Sequence, residues 1–324
     1  MQASAQAQPN IALVKYWGKQ DLRHNLPATG SISITLDAPR THTRVNFSAS
    51  QERDQFLLNG KPEPAMLNRV SACLDNLRAL ADCPLRARVE SDNDFPTGAG
   101  LASSASGFAA LVVAGASALG LNLDTQQLAD LARRASGSAA RSLLGGFVEL
   151  LLPAADGPST PVRSLRAAHE WPLAVAIAIT SSRTKSVGST EGMERSRLTS
   201  PYYPAWVSSA EDDLAYARQA ISDRDFLSLA RVSEFSCLKM HALAMSSEPG
   251  LLYFNGATVE CLHRIRTLRT QGVPVFFTVD AGPQVKAVCL PEALEQVGQA
   301  LADVPGVQKI IRCGLGAGAR LDKE

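Results

Sequence analysis

Residues 96–107 read PTGAGLASSASG, a run of small residues leading into an apolar, alanine-rich stretch. Glycines let backbone N–H groups approach an anion closely. A helix start adds unpaired N–H groups and the positive end of the helix dipole at the same place. Ser103 and Ser104 add hydroxyls for a phosphate or a phosphate-bound Mg²⁺. There is no GxxxxGKS or GxxxxGKT and no GxGxxG after a strand, so neither a Walker loop nor a dinucleotide fold is supported. The alternative is a close-packed helix start without a ligand. Residues 136–141 read SGSAAR; on a helix Ser138 and Arg141, three apart, share a face. A planar guanidinium beside hydroxyls suits a carboxylate, because its fork can bind both oxygens. The alternative is an N-cap serine and a surface arginine.

Three more segments qualify. Asp280 follows the apolar run 273–279 and precedes Ala-Gly-Pro. A carboxylate at the end of a buried strand stands at a cleft mouth, as a base or a positioner of a hydroxyl; a turn-forming aspartate is the plainer use. Lys15, Tyr16 and Lys19 end the first apolar strand and suit a phosphorylated ligand; Lys15 near Asp280 would hold that carboxyl ionised. The run SSRTKSVGSTEGM at 181–193, with Lys185 and Ser189, reads as a polar loop that closes on phosphates or simply connects. The histidines form no metal-ligand spacing, the acidic cluster 211–213 reads as a solvated helix face, and GLGAGA at 314–319 reads as a flexible end rather than a phosphate loop.

The elements that must position these residues follow from periodicity. Strands are expected at 11–14, around 32–36, at 42–48, 55–58 and 86–91, over FVELLLP and LAVAIAIT, at 273–279 and near 307–313. Helices are expected at 65–80, after 103, at 124–135 with Asp124 or Thr125 as cap, briefly from Ser136, over 201–245, 250–270 and 291–303. Strands and helices interleave without a strict βαβα rhythm, so an α+β fold is expected, with a junction near residue 180.

The chain has 324 residues, enough to bury a large core without disulfide or metal staples. Lys and Arg number 32 against 31 Asp and Glu, a net charge of +1, which excludes a protein that coats nucleic acid. Six cysteines lie at least ten positions apart, with no CxxC unit, and read as reduced cytosolic thiols. The first ten residues lack the pattern of a signal peptide, and no apolar stretch is long enough to span a bilayer.

Taken together these segments resemble the GHMP kinase superfamily and, within it, the diphosphomevalonate decarboxylases. The resemblance rests on NIALVKYWGK at 10–19, NLPATGSISITL at 25–36, NDFPTGAGLASSASG at 93–107, SGSAARSLLGGFVEL at 136–150, SSRTKSVGSTEGM at 181–193 and VDAGPQVK at 279–286. It implies a two-lobed α+β GHMP kinase fold around a deep cleft. The N-terminal half, residues 1–180, would resemble ribosomal protein S5 domain 2; the C-terminal half, 181–324, would be ferredoxin-like. It also implies a cytoplasmic homodimer with no nucleic-acid or membrane partner. The implied reaction uses ATP and Mg²⁺ to phosphorylate the 3-hydroxyl of (R)-5-diphosphomevalonate; phosphate and CO₂ then leave, giving isopentenyl diphosphate. By position, the resemblance implies that Asp280 faces the hydroxyl, Arg141 orients the substrate carboxylate and Lys15 interacts with Asp280. Tyr16, Lys19, Ser136, Gly137 and Ser138 would surround the rest of the substrate. Pro96, Gly98, Gly100, Leu101, Ala102, Ser103, Ser104, Lys185 and Ser189 would hold the nucleotide phosphates, with Ser104 on the metal. Thr190 stands where some bacterial relatives carry arginine, which leaves open an enzyme acting on 5-phosphomevalonate. A kinase of the same superfamily without decarboxylation is the other alternative.

Overall fold

A computed structural model describes residues 1–95, 103–153, 157, 159–183 and 186–322. In chain order its elements are β1 (Gln2–Ala7), β2 (Asn10–Val14), β3 (Lys19–Asp21), β4 (Leu26–Pro27), β5 (Ser31–Thr35), β6 (Thr41–Ser48), β7 (Gln55–Leu58), β8 (Lys61–Pro62), α1 (Pro64–Ala81), β9 (Arg86–Asn93), α2 (Ser103–Ala118) and α3 (Thr125–Ala135). A 3₁₀ turn at Ala139–Leu143 leads into β10 (Phe147–Leu150), β11 (Val162–Arg166) and β12 (Ala174–Ile179). There follow α4 (Ser189–Thr199), α5 (Tyr203–Ser208), α6 (Ala210–Asp223), α7 (Phe226–Met245), α8 (Gly256–Thr270), β13 (Val275–Val279), β14 (Val285–Cys289), α9 (Leu294–Ala302), β15 (Lys309–Gly314) and β16 (Arg320–Leu321).

The strands form three principal sheets: six strands in the order β16-β1-β6-β9-β7-β8, four in the order β11-β10-β5-β2, and four in the order β13-β14-β12-β15. Helices α1, α2 and α3 pack their apolar faces on the six-stranded sheet. Asp124 caps α3 through a reciprocal capping box with Gln127, as its side chain predicts. The two four-stranded sheets share one core, in which Ile11, Leu13, Ile32 and Ile34 meet Val175, Ile177, Phe276 and Val288. β5 shows why its sequence alternates. Ile32 and Ile34 enter that core, while Ser31 and Thr35 bond the Arg141 side chain and the Leu144 carbonyl of the 3₁₀ segment.

The structure departs from the sequence expectations in several places. Strands β1, β11 and β14 were not expected: β1 carries only alanines on its apolar face, and a lysine interrupts the apolar run of β14. β12 precedes residue 180 yet pairs with β14 and β15, so the C-terminal sheet starts before the expected junction. The segment 201–245 is three helices, because Arg224 adopts a left-handed φ of 56° and ends α6. Residues from Ser189 onward form α4 rather than an open loop. Gly192 and Met193 are buried there, and a Cβ on Gly192 would meet the Trp17 ring at 3.2 Å. The acidic cluster is not wholly solvated either: Asp213 is buried and pairs with Lys239 at 2.6 Å.

The glycine-rich tail is a packed closure, not a flexible end. The Gly316 N–H donates to the Thr35 carbonyl at 2.8 Å, and the Gly316 carbonyl accepts from the Gly146 N–H at 3.0 Å. A Cβ at 316 or 318 would lie 2.2 or 2.1 Å from a main-chain carbonyl, so only glycine admits this approach. No helix among the described residues is long and apolar enough to cross a membrane.

Candidate active site

A cavity of about 1500 Å³ opens between the two halves. Lys15, Tyr16, Lys19, Ser103, Ser104, Ser136, Gly137, Ser138, Arg141, Ser189 and Asp280 all line it. Segments far apart in sequence are thus brought together by the ends of β2 and β13, the first turns of α2 and α4, and the 3₁₀ turn. Pro96, Gly98, Gly100, Leu101, Ala102 and Lys185 lie outside the described residues.

Asp280 follows the last residue of β13 and keeps 28% of its side-chain exposure toward the cleft. Lys15, at the end of β2, is 1% exposed and places Nζ 2.6 Å from Asp280 Oδ1 and 2.9 Å from the Ala12 carbonyl. From β14, Lys286 places Nζ 3.1 Å from Asp280 Oδ2 with 2% exposure. Burial pushes the Asp280 carboxyl up, but the charges of Lys15 and Lys286 and their hydrogen bonds outweigh it and hold it well below the usual carboxylate range. Burial pushes the Lys286 ammonium down, and Asp280 opposes that. The carboxylate is therefore ionised at neutral pH, and each of its oxygens is taken by an ammonium group.

Arg141 is held from below. Its Nη1 donates to Ser31 Oγ at 2.5 Å and its Nε to Asn10 Oδ1 at 3.2 Å, while Nη2 has no partner among the described residues. Asn10 is itself fixed by donating to the Ser138 carbonyl and to Ser142 Oγ. The side chain is 2% exposed, and burial pushes the guanidinium down to about 10, so it stays charged at neutral pH. The Tyr16 hydroxyl is buried with no hydrogen-bond partner among the described residues, and burial pushes the phenol up to about 12. A Cβ on Gly137 would stand 2.5 Å from that hydroxyl, so glycine is what lets the two segments close.

Comparison with known proteins follows the same geography. The family model for the diphosphomevalonate decarboxylase-like N-terminal domain matches residues 7–159, and that for the mevalonate 5-diphosphate decarboxylase C-terminal domain matches 175–314. The diphosphomevalonate decarboxylase of Candida albicans is 39% identical over 299 residues, 87% of this chain and 82% of its own length. The chain belongs to the diphosphomevalonate decarboxylase family. The human decarboxylase is 35% identical over 308 residues, 89% of this chain and 76% of its own. Mevalonate diphosphate decarboxylase from Staphylococcus aureus superposes with a TM-score of 0.93 at 36% identity, covering 99% of this chain and 98% of that one. A structure described as MDDEF in complex with MVAPP, AMPPCP and magnesium superposes at 0.92 with 37% identity, covering 100% and 99%.

Three residues of this decarboxylase-family site lie outside the sequence expectations: Lys286, Asn10 and Ser31. Lys286 had a signal, a lysine inside the otherwise apolar VKAVC six residues after Asp280. A hairpin between two buried strands returns such a residue to the aspartate, but the strand itself had not been expected. Asn10 and Ser31 carried no signal, because their role appears only when the 3₁₀ turn is laid across them. Ser91 and Asn93, which sequence position had suggested for the adenine region, line the cavity; Asn68 does not.

Proposed function

We propose that this chain is a diphosphomevalonate decarboxylase. It would use ATP to phosphorylate the 3-hydroxyl of (R)-5-diphosphomevalonate, then release phosphate and CO₂ to give isopentenyl diphosphate. The observation that carries the reading is an ionised Asp280, pinned between Lys15 and Lys286, in one cavity with a buried Arg141. A tertiary alcohol is a poor leaving group, so the hydroxyl must be esterified before the carboxylate can be lost. Phosphoryl transfer itself needs positioning and charge neutralisation more than covalent help.

The residues divide accordingly. Arg141, braced by Ser31 and Asn10, offers a charged fork to the substrate carboxylate. Tyr16, Lys19, Ser136, Gly137 and Ser138 line the part of the cavity assigned to the diphosphate end. Asp280 orients the hydroxyl. Two ammonium partners make it a weak base, so it accepts the proton only as transfer to phosphorus makes that hydroxyl acidic. Positive charge developing at C3 during the loss of phosphate meets no nucleophile; the nearby cysteine, Cys237, is buried and its thiol is pushed up by burial.

The cavity is also large enough for a nucleotide beside the substrate. Ser103 and Ser104 on the first turn of α2 and Ser189 on the first turn of α4 would contact its phosphates. Among the described residues no cluster of three His, Cys, Asp or Glu could cage a metal. The donor set fits a Mg²⁺ carried on the nucleotide phosphates, with Ser104 as its protein ligand. Bound there, the ion neutralises phosphate charge. Two lobes, proposed as residues 1–180 and 181–324 with β12 contributing to the second, close this cleft. A homodimer in the cytoplasm belongs to the same proposal, supported by the resemblance; light scattering coupled to gel filtration tests the dimer.

One assay tests the function. The protein is incubated with Mg²⁺-ATP and (R)-5-diphosphomevalonate, and ADP, phosphate, CO₂ and isopentenyl diphosphate are measured. Equal yields of all four are expected. ADP without CO₂ identifies a kinase instead, and no ADP at all removes the enzymatic reading.

A further inference from the structure

Two sheets end in open edges at the same place. β2 is the edge strand of one four-stranded sheet and β13 of the other. An edge strand leaves N–H and C=O groups without ladder partners, and when buried they must be satisfied by something else. Here side chains of a single helix, α7, supply the partners at both edges. Glu234 Oε1 accepts from the Phe277 N–H at 3.2 Å. Cys237 Sγ accepts from the Val279 N–H at 3.2 Å and lies 3.5 Å from the Val279 carbonyl. His241 Nε2 donates to that same carbonyl at 3.1 Å. Positions 234, 237 and 241 are spaced three and four apart, which is one face of a helix. Ser236 accepts from the Lys15 N–H at 2.9 Å.

Val279 immediately precedes Asp280, so α7 grips the main chain on both sides of the Lys15–Asp280 pair. We propose that α7 is the jig that sets the Lys15–Asp280 geometry, with Ser236 and His241 as positioning residues acting through the main chains of Lys15 and Val279. This rests on the reading of Asp280 as the group that faces the reacting hydroxyl.

Neither residue lines the cavity, so neither touches substrate. Ser236 is fully buried. His241 is 2% exposed, with its ring 4.1 Å from that of Phe254. Burial pushes the imidazole down to about 3, so it is neutral and offers one N–H, which the Val279 carbonyl occupies. The Lys15 ammonium depends on the same frame. It donates to the Ala12 carbonyl, which also accepts from Thr278 Oγ1 at 3.2 Å. A small slide between β2 and β13 therefore separates ammonium from carboxylate.

Three variants test this. His241→Leu removes the donor and keeps an apolar filling. His241→Gln returns an N–H of similar reach. Ser236→Ala removes the acceptor without adding volume. A misplacement of about 1 Å costs on the order of 10²-fold in rate. His241→Leu and Ser236→Ala are accordingly expected to lower kcat by about ten- to a hundredfold. KM for both substrates should stay within about twofold, because the binding groups are untouched. His241→Gln should recover most of the loss. In crystals of His241→Leu and Ser236→Ala, Lys15 Nζ and Asp280 Oδ1 should stand farther apart than 2.6 Å. An unchanged separation overturns the proposal whatever the turnover. So does an unchanged kcat, or a loss that tracks a lowered Tm and is not restored by glutamine. If the unmodified protein releases no ADP, the functional reading fails, and the crystallographic separation still judges the jig.

Discussion

Lys286 approaches the one oxygen of Asp280 that Lys15 leaves open, at 3.1 Å against 2.6 Å for the Lys15 contact. The carboxylate is thus clamped along both lone-pair directions by cations from two different sheets. Arg141, also coupled electrostatically to Asp280, makes three cations around one anion. The chain as a whole is nearly neutral, so attraction for an anionic substrate is concentrated in this cleft.

Loss of Lys286 should move the acid limb of activity. Removing one of two opposite charges raises the Asp280 pKa, so the carboxylate takes up a proton at higher pH. Lys286→Met is expected to lower kcat about tenfold at neutral pH and to shift the acid limb of the kcat profile upward. A limb at the position of the unmodified enzyme would show that Lys286 does not tune the carboxylate.

Asp280→Asn keeps the shape of the carboxylate and removes its charge. Turnover should fall by about 10²–10⁴, while nucleotide affinity measured by calorimetry is retained. Substantial ADP release by this variant would take Asp280 out of the reaction.

Arg141→Lys retains a positive charge but loses the fork and its contacts to Ser31 and Asn10. We expect a raised KM for the diphosphomevalonate substrate together with a lowered kcat, at a cost of about 2–5 kcal/mol in kcat/KM. Parity with the unmodified enzyme would contradict the carboxylate assignment.

Gly137→Ala forces the Tyr16 hydroxyl away from a Cβ that would otherwise stand at 2.5 Å. Overpacking of this kind costs about 1–3 kcal/mol. A lower Tm and a raised substrate KM are expected together, read by thermal melting and steady-state kinetics.

His241 gives a stability signature distinct from its proposed positioning role. Its folded pKa is depressed to about 3, so its contribution is fully present above the unfolded value near 6.5 and is lost as pH falls toward 3. In that window the unfolded chain binds the extra proton, and stability falls by at most about 1.4 kcal/mol per pH unit from this group. Denaturant unfolding at pH 7 and pH 5 should show a smaller difference for His241→Leu than for the unmodified protein.

Much of this molecule is legible one segment at a time. Apolar alternation places β5 and β6, the three–four spacing places α1 and α3, and Asp124 announces the start of α3 through its cap. The types and order of Lys15, Arg141 and Asp280 follow from local sequence as well, because each sits at the end of an element whose periodicity is strong. Residues without periodic surroundings do not declare themselves. Lys286 lies in a strand whose apolar run it breaks itself, and α4 begins among hydroxyls and glycines that read as loop.

The sequence by itself determined which chemical groups exist and which elements carry them, since side-chain spacing and caps act within a few residues. Only the tertiary structure decided their distances. The 2.6 Å contact of Lys15 with Asp280 spans 265 positions and depends on two sheet edges meeting one helix. It also decided that the glycine tail is a packed seam, that Lys286 takes the second carboxylate oxygen, and that His241 lies buried without contact to substrate. These are non-local outcomes: burial and charge proximity depend on what other segments place nearby, and no window of the chain contains that information.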